Sequence, residues 1–417
     1  LTVSENIAMP SNDIVRHGIY DWKKSDALAA EALSKLGSAT ADISPHDIVS
    51  ELRPDQMQMV EIARAVGQNA KIILLDEPTS SLNFEETEKL FESIRGLCSA
   101  GIGIIFVSHR MNEVRELSDR ITILRDGVVI VDGVPMSEKT DEEIVSDMLG
   151  EKLNAEEKKR KDSNAFESSA EVLSISFDGY DGELTVKEGE IVGLAGLAGS
   201  GRSSVLRTIW GTKPRSDIHL RYLGEEYKPK NPMYALKKKI AYISEDRSES
   251  GLFFGQPIKE TVLMAHRNLQ RKLFVKNKSE DKLLGQIIGE VQIKVPTHEC
   301  MPEALSGGNQ QKLLFGRWIT DEAKLLLLDE PTRGVDIKTK HEIYQRVRKM
   351  VEANNAGALV VSSELEELVL MCDKVLIIRD GHVEDVLTGD RITENNMMAE
   401  ITASGNTKQQ TEDNKSV

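Results

Sequence analysis

Leu305-Ser306-Gly307-Gly308-Asn309-Gln310-Gln311-Lys312 is followed, 24 residues after Leu305, by Asp329-Glu330-Pro331 at the end of the run Leu325-Leu326-Leu327-Leu328. A serine and two glycines at the head of a helix leave backbone N–H groups of the first turn unpaired and open to an anion. Four leucines ending in Asp-Glu read as a buried strand that delivers one carboxylate to a metal ion and a second to a water molecule. A lone Asp-Glu at a strand end is more often a cap, and a lone glycine turn is more often only a turn. At this spacing the pair is far more specific than either half.

The arrangement occurs twice. Leu52 precedes Asp76-Glu77-Pro78-Thr79 by 24 residues, as Leu305 precedes Asp329-Glu330-Pro331-Thr332. Val107-Ser108-His109 ends 33 residues after Asp76, Val361-Ser362-Ser363 ends 34 after Asp329, and Arg125-Asp126-Gly127 matches Arg379-Asp380-Gly381. An offset of about 254 residues is domain-sized and too long for a solenoid repeat.

The offset also exposes a difference. The second copy carries Gly196-Leu197-Ala198-Gly199-Ser200-Gly201-Arg202-Ser203-Ser204 between an apolar strand and Val205-Leu206, the order strand, phosphate loop, helix. The first copy has no such loop. Leu1 aligns near Gln256 while the second copy opens near Glu171, so about 85 to 90 residues of the repeat have no counterpart before Leu1, and the expectation is an N-terminally incomplete protein. The expected fold is α/β, with two P-loop NTPase domains in tandem, the first incomplete. The expected boundaries are 1–150 for the first domain, 151–170 for a charged linker, 171–402 for the second domain and 403–417 for a polar, disordered tail.

Composition narrows the class. Of 417 residues, 40% are apolar and only 5% aromatic, which suits aliphatic strands buried by helices on both faces. Apolar spacing predicts helices over 22–36 and 54–66, buried strands over 71–75 and 102–107, and a hairpin joining 121–124 to a short strand at 128–130. No apolar run reaches the ~18 residues a bilayer span needs. The formal charge of −15 argues against nucleic acid as a partner. Cys98, Cys300 and Cys372 are dispersed, which fits reduced thiols and offers no metal site.

These motifs resemble the signature and Walker B elements of ATP-binding-cassette ATPases. The whole chain looks like the ATP-binding subunit of bacterial monosaccharide importers of the ribose/galactose/xylose class, in which two cassettes are fused. Supporting residues include Met59 to Ala65, Gly193 to Leu197, Gly199 to Arg202, Tyr242-Ile-Ser-Glu-Asp-Arg247 and Asp329 to Asp336. The resemblance implies ATP and Mg²⁺ as cofactors. Gly196 to Ser204 would cradle phosphates, with Ser203, Asp76 and Asp329 holding the metal. Glu77 and Glu330 would be general bases, His109 a switch histidine, and Leu305, Ser306, Gly307, Gly308 and Asn309 the signature. Glu245 stands where most cassettes place a glutamine that senses magnesium and meets the membrane subunit.

Several positions depart from the pattern. Arg202 replaces the usual phosphate-loop lysine, and its planar fork is not a compact point charge. Ser363 stands opposite His109, and Asn83 replaces an acidic residue. Leu52-Arg53-Pro54-Asp55-Gln56 replaces the first signature, where Pro54 removes an N–H and Asp55 would repel a phosphate. The same Pro and Asp are good first-turn helix chemistry. Cassettes of this type sandwich each ATP between the phosphate loop of one copy and the signature of the other. The resemblance therefore implies one degenerate site, using Arg202, Ser363 and residues 52–56, and one competent site using Glu77, His109 and Ser306 to Asn309. The phosphate loop of that competent site is expected to lie before Leu1, so the sequence as given is expected to be a weak or inactive ATPase.

The expected activity is ATP hydrolysis coupled to import through integral membrane permease subunits fed by a periplasmic or extracellular sugar-binding protein, at the cytoplasmic face of the membrane. Nucleoside and autoinducer importers share this layout. A soluble tandem cassette acting on ribosomes or DNA, or a nucleotide-binding regulator without hydrolysis, are the readings from other classes.

Overall fold

A strand with no polar alternation needs cover on both faces, and Leu325–Asp329 is buried at every residue. It belongs to a six-stranded sheet in the computed structural model, which describes the chain apart from residues 12–13, 17–18, 80–81, 83, 109, 126, 150–165, 180–182, 198, 248–250, 271–276, 296, 319–322 and 404–417. The chain divides into two units, Leu1–Lys152 and Leu153–Val417.

In the second unit the sheet order is Ile240–Ile243, Leu325–Asp329, Gly357–Val361, Ile191–Ala195, Lys374–Arg379, His382–Thr388. All neighbours are parallel except the last pair, a hairpin. A four-stranded antiparallel sheet (Glu225–Glu226, Ile218–Tyr222, Glu171–Phe177, Glu183–Lys187) and the helix Arg202–Trp210 cover one face. There Val172, Ile175, Leu206 and Ile209 pack with Leu325, Leu327, Leu359 and Val361. On the other face Ile343, Val347 and Leu368, from the helices Ile337–Ala353 and Leu365–Met371, meet Leu326, Leu328 and Val360. A third core joins Ile258–Gln270, Asn277–Glu290 and Gly307–Gly316 through Val262, Ile287 and Leu313.

The first unit repeats part of this plan. Trp22–Ser34 and Pro54–Gly67 are helices close to their expected bounds. Together with Val3–Ala8 and Phe84–Ser99 they enclose a core that includes Ile7, Ala29, Ile62 and Ile94. Ile72–Asp76 pairs in parallel with Gly103–Val107, and Arg120–Arg125 pairs with Val128–Pro135, which runs well beyond the expected 128–130.

The first two strands were expected to be buried, and only one face of each is, with Ile73 and Leu75 in the core and Ile104 and Phe106 packed against it. Ile72, Leu74, Ile105 and Val107 are 60%, 71%, 52% and 50% exposed. Their repeat counterparts are Leu325, Leu327, Leu359 and Val361, all in the core beneath the antiparallel sheet and the Arg202–Trp210 helix. Among the described residues no such layer covers that face in the first unit. Two boundaries also shift. Phe166, placed in the linker by sequence, is 6% exposed with its ring against Gly189, and Ala403, placed in the tail, ends the helix Glu394–Ala403. Residues 151–165 of the expected linker and 404–417 of the expected tail lie outside the described residues.

The repeat supplies its own control for burial. Leu327 is 0% exposed against 71% for Leu74. Leu327→Ala should cost about 2–5 kcal/mol, and Leu74→Ala less than about 1 kcal/mol. Urea unfolding of each variant measures both, and equal losses would contradict the difference in cover.

Candidate functional site

The phosphate loop grows from the edge of a fully buried strand. Ile191–Ala195 ends at Gly196, where a Cβ would lie 2.4 Å from the Ile378 carbonyl oxygen and 2.7 Å from Ser200 Oγ. Gly201 caps the helix Arg202–Trp210 at φ 94°, and its own Cβ would meet the Gly381 Cα at 2.8 Å. Only glycine meets both demands, a left-handed backbone and close approach. The Gly381 N–H donates to the Ser200 carbonyl at 2.6 Å, so the tip of the Lys374–Arg379/His382–Thr388 hairpin braces the loop. Ser200 Oγ is buried and has no hydrogen-bond partner, an acceptor and donor left over inside the loop. Ala198 lies outside the described residues.

Ser203 and Asp329 meet. Ser203 Oγ donates to Asp329 Oδ1 at 2.7 Å, and the Tyr242 hydroxyl donates to Asp329 Oδ2 at 2.9 Å. Asp329 is 0% exposed, and Arg207 stands 3.9 Å from Oδ2. A buried carboxylate is tolerated because its charge is bonded on both oxygens. Hydroxyl and carboxylate are the hard oxygen donors that suit Mg²⁺, which takes few protein ligands and completes its shell with water and phosphate. The donor set therefore fits the cation the sequence implied.

Glu330 follows at φ 50°, a left-handed conformation unusual outside glycine, and its N–H donates to the Val361 carbonyl at 2.9 Å. Glu77 repeats both features, at φ 45° with its N–H on Val107 O at 2.9 Å. The two copies thus share a disfavoured conformation at the expected base, each fixed by the same bond to the neighbouring strand. Burial pushes the Glu330 carboxyl upward, while hydrogen bonds from Ser363 and the charge of Arg202 pull it down. Ser363 Oγ reaches Glu330 Oε2 at 3.1 Å. The first unit is more open here: Asp76 is exposed and Glu77 half-buried, and His109 lies outside the described residues.

Arg202 does not extend along the loop as a point charge would. Its Nη1 donates to the Ser362 carbonyl at 2.6 Å, and burial lowers its pKa against the pull of Glu330, Asp329 and Glu245. Thus Arg202, Ser203, Asp329, Glu330 and Ser363 form one cluster. Glu245 joins through the loop that follows the strand, as an ion pair with Arg333. The signature is reached by a different arginine. Arg247 donates to Gly307 O at 2.9 Å and to Arg333 O at 2.8 Å. Ser306 caps the helix Gly307–Gly316, with Asn309 Nδ2 on its Oγ at 3.2 Å. Gly308 leaves no room for a Cβ, which would lie 2.9 Å from Thr339 Oγ1. Leu305 anchors the start of this turn from the core.

In the altered first signature Asp55 has a partner within its own turn: Arg53 Nη2 and Nε contact it at 2.9 and 3.1 Å and hold its carboxyl below the usual range. Pro54 opens the helix as expected, and Gln56 Oε1 accepts the Arg53 N–H at 3.0 Å. Asn83 lies outside the described residues. Sequence reasoning missed Tyr242 as a partner of the metal carboxylate, together with Arg207, which hydrogen-bonds the Tyr242 hydroxyl. Tyr242 stood inside a quoted motif, yet nothing in its spacing assigned it to Asp329.

The family profile described as "ABC transporter" matches residues 1–80 and 181–333. Ribose import ATP-binding protein RbsA 1 of Streptomyces avermitilis is 36% identical over 401 residues, 96% of this chain and 76% of that protein. Ribose import ATP-binding protein RbsA of Geobacillus kaustophilus is 34% identical over 407 residues, 96% and 81% of the two chains. The protein of the same name from Bacillus subtilis is 35% identical over 402 residues, 95% and 80%.

Tyr242→Phe should remove one of the two hydrogen bonds that satisfy Asp329. A loss of about 1–3 kcal/mol is expected, read by denaturant unfolding. A neutral result would show that Arg207 alone can hold Oδ2.

Proposed function

The chain belongs to the ABC transporter family, and on that premise we propose that it is the ATP-hydrolysing subunit of an importer for a monosaccharide, ribose being the sugar named for its relatives. The observation that carries this reading is Ser203 bonded to the buried Asp329 beside a glycine-braced phosphate loop. The loop N–H groups would bind phosphate oxygens, and Ser203 with Asp329 would hold Mg²⁺, which neutralises charge on the terminal phosphates. Glu330, raised by burial, and Glu77 are poised to accept the proton of an attacking water at a carboxylate oxygen.

The two units contribute unequally. Arg202 is turned onto Ser362, and Ser363 stands where the first copy has His109, so the groups around Glu330 favour binding over turnover. In the first unit Glu77 and His109 are the residue types suited to hydrolysis, and in the second unit the Ser306 to Asn309 signature is unaltered. Glu245 and Arg333 link the loop after the edge strand Ile240–Ile243 to the segment beyond Glu330. Beside that strand lies a cavity of about 230 Å³ lined by Trp210, Met233, Tyr242, Met264 and Trp318. Its largely apolar walls, which include the Asp329 partner Tyr242, would take an apolar side chain from a permease segment whose movement follows the nucleotide. No described helix is long and apolar enough to cross a membrane itself. A peripheral position at the cytoplasmic face, bound to permease subunits, follows from this reading.

Reconstitution with permease subunits in vesicles, using a chain that carries a phosphate loop in both copies, tests it by phosphate release. Glu77→Gln should lower kcat by about 10²–10⁴-fold, while Glu330→Gln should change it by less than about tenfold. Normal turnover after Glu77→Gln with loss after Glu330→Gln would reverse the assignment. Met233→Asp should weaken co-purification with the permease and leave equilibrium ATP binding by the isolated chain unchanged.

A further inference from the structure

Both units bury a glutamate that no motif assigned. Glu367 is 2% exposed, and its Oε1 accepts the Thr332 hydroxyl at 2.7 Å. Ser362, 0% exposed, also hydrogen-bonds it. In the first unit Glu113, 7% exposed, takes Thr79 Oγ1 at 2.8 Å and Ser108 Oγ at 2.7 Å on the same oxygen. Thr79 and Thr332 are repeat counterparts, as are Ser108 and Ser362, and Glu113 and Glu367. The same three-residue bridge has therefore formed twice.

What it joins is specific. Thr332 lies two residues beyond Glu330. Ser362 follows the neighbouring strand Gly357–Val361, gives its carbonyl to Arg202 Nη1, and precedes Ser363, which donates to Glu330. Three groups around the expected terminal phosphate thus hang on two segments that a buried carboxyl bridge ties together, beyond the Glu330–Val361 backbone bond. We propose that Glu367, and Glu113 in the first unit, are positioning residues that set the spacing between the general-base carboxylate and the switch position of the ATPase site. The inference rests on the ATP-site reading given above.

The charge around the bridge differs between the copies. Arg110 Nη1 contacts Glu113 at 3.1 Å and Thr79 O at 3.3 Å. Its counterpart is Glu364, which pairs with Lys340 of the helix Ile337–Ala353. Glu367 faces Glu364, Glu330, Thr332, Ser362 and the buried Tyr344 of that helix, with Lys340 engaged elsewhere. Burial lifts its carboxyl to about 7. Near neutrality the bridge in the second unit is thus held as much by a protonated carboxyl as by a carboxylate, and an amide is its close mimic.

The test is equilibrium titration of the full chain with a non-hydrolysable Mg²⁺–ATP analogue and with Mg²⁺–ADP, with melting temperature recorded for each variant. Glu367→Ala should lower the analogue-to-ADP affinity ratio by about tenfold, the loss of roughly one buried hydrogen bond to the segments around the terminal phosphate. Thr332→Val, cutting the other end of the bridge, should lower it in the same direction. Glu367→Gln should keep the ratio within about threefold of wild type, since its oxygen still accepts from Thr332. A purely structural glutamate would lower melting temperature or both affinities together and leave the ratio alone. An unmoved ratio in folded Glu367→Ala and Thr332→Val overturns the positioning role. If Glu367→Ala does not fold, Thr332→Val decides. A wild-type chain that binds neither nucleotide overturns the ATP-site reading itself, and this inference with it.

Discussion

A fully buried carboxylate has to be satisfied, and Asp329 sets the terms on which the second unit is built. Its Oδ1 takes Ser203 from the helix that follows the phosphate loop, and its Oδ2 takes Tyr242 from the edge strand. Breaking such a pair by removing one partner costs more than the bond itself is worth, because the charge stays behind in a poor solvent. One side chain thereby fixes the distance between three elements distant in sequence. The backbone does the complementary work one residue later. Glu330 turns left-handed and is pinned by its N–H to Val361, which aims a second carboxylate away from the first. Adjacent acids in sequence become separate tools in space.

The internal repeat lets the same motif be seen in two settings. Asp329 is buried under a phosphate loop, whereas Asp76, with the same strand and the same following turn, stands exposed. Glu77 nevertheless keeps the left-handed turn and the bond to its neighbouring strand. The turn is therefore dictated locally, by the strand pair and the Pro that follows, and not by the loop that crowns it in the second unit. The altered first signature carries a similar lesson. Pro54 and Asp55 start the helix well, and Arg53 disposes of the negative charge within its own turn.

Much of this was legible in sequence because the chemistry needs particular residue types at fixed intervals. The glycines of the phosphate loop, the Asp-Glu at the strand end and the Ser-Gly-Gly helix start each have few substitutes, and the Asp-Glu keeps its register in both copies. Burial was less legible. Ile72 to Leu75 reads as apolar on every residue, yet whether both faces are covered depends on layers far away in the chain. The supporting network was the least legible. Tyr242, Arg247 and Glu367 act through backbone carbonyls or through other polar side chains, contacts that impose no spacing rule. Only the repetition of threonine, serine and glutamate in both copies could have flagged the buried bridge.

Among the described residues Ile72, Leu74, Ile105 and Val107 form an apolar stripe, where their counterparts Leu325, Leu327, Leu359 and Val361 lie beneath an antiparallel sheet and a helix. The apolar sequence of a strand thus states the cover it can accept, while the cover itself is written in segments far from it in the chain.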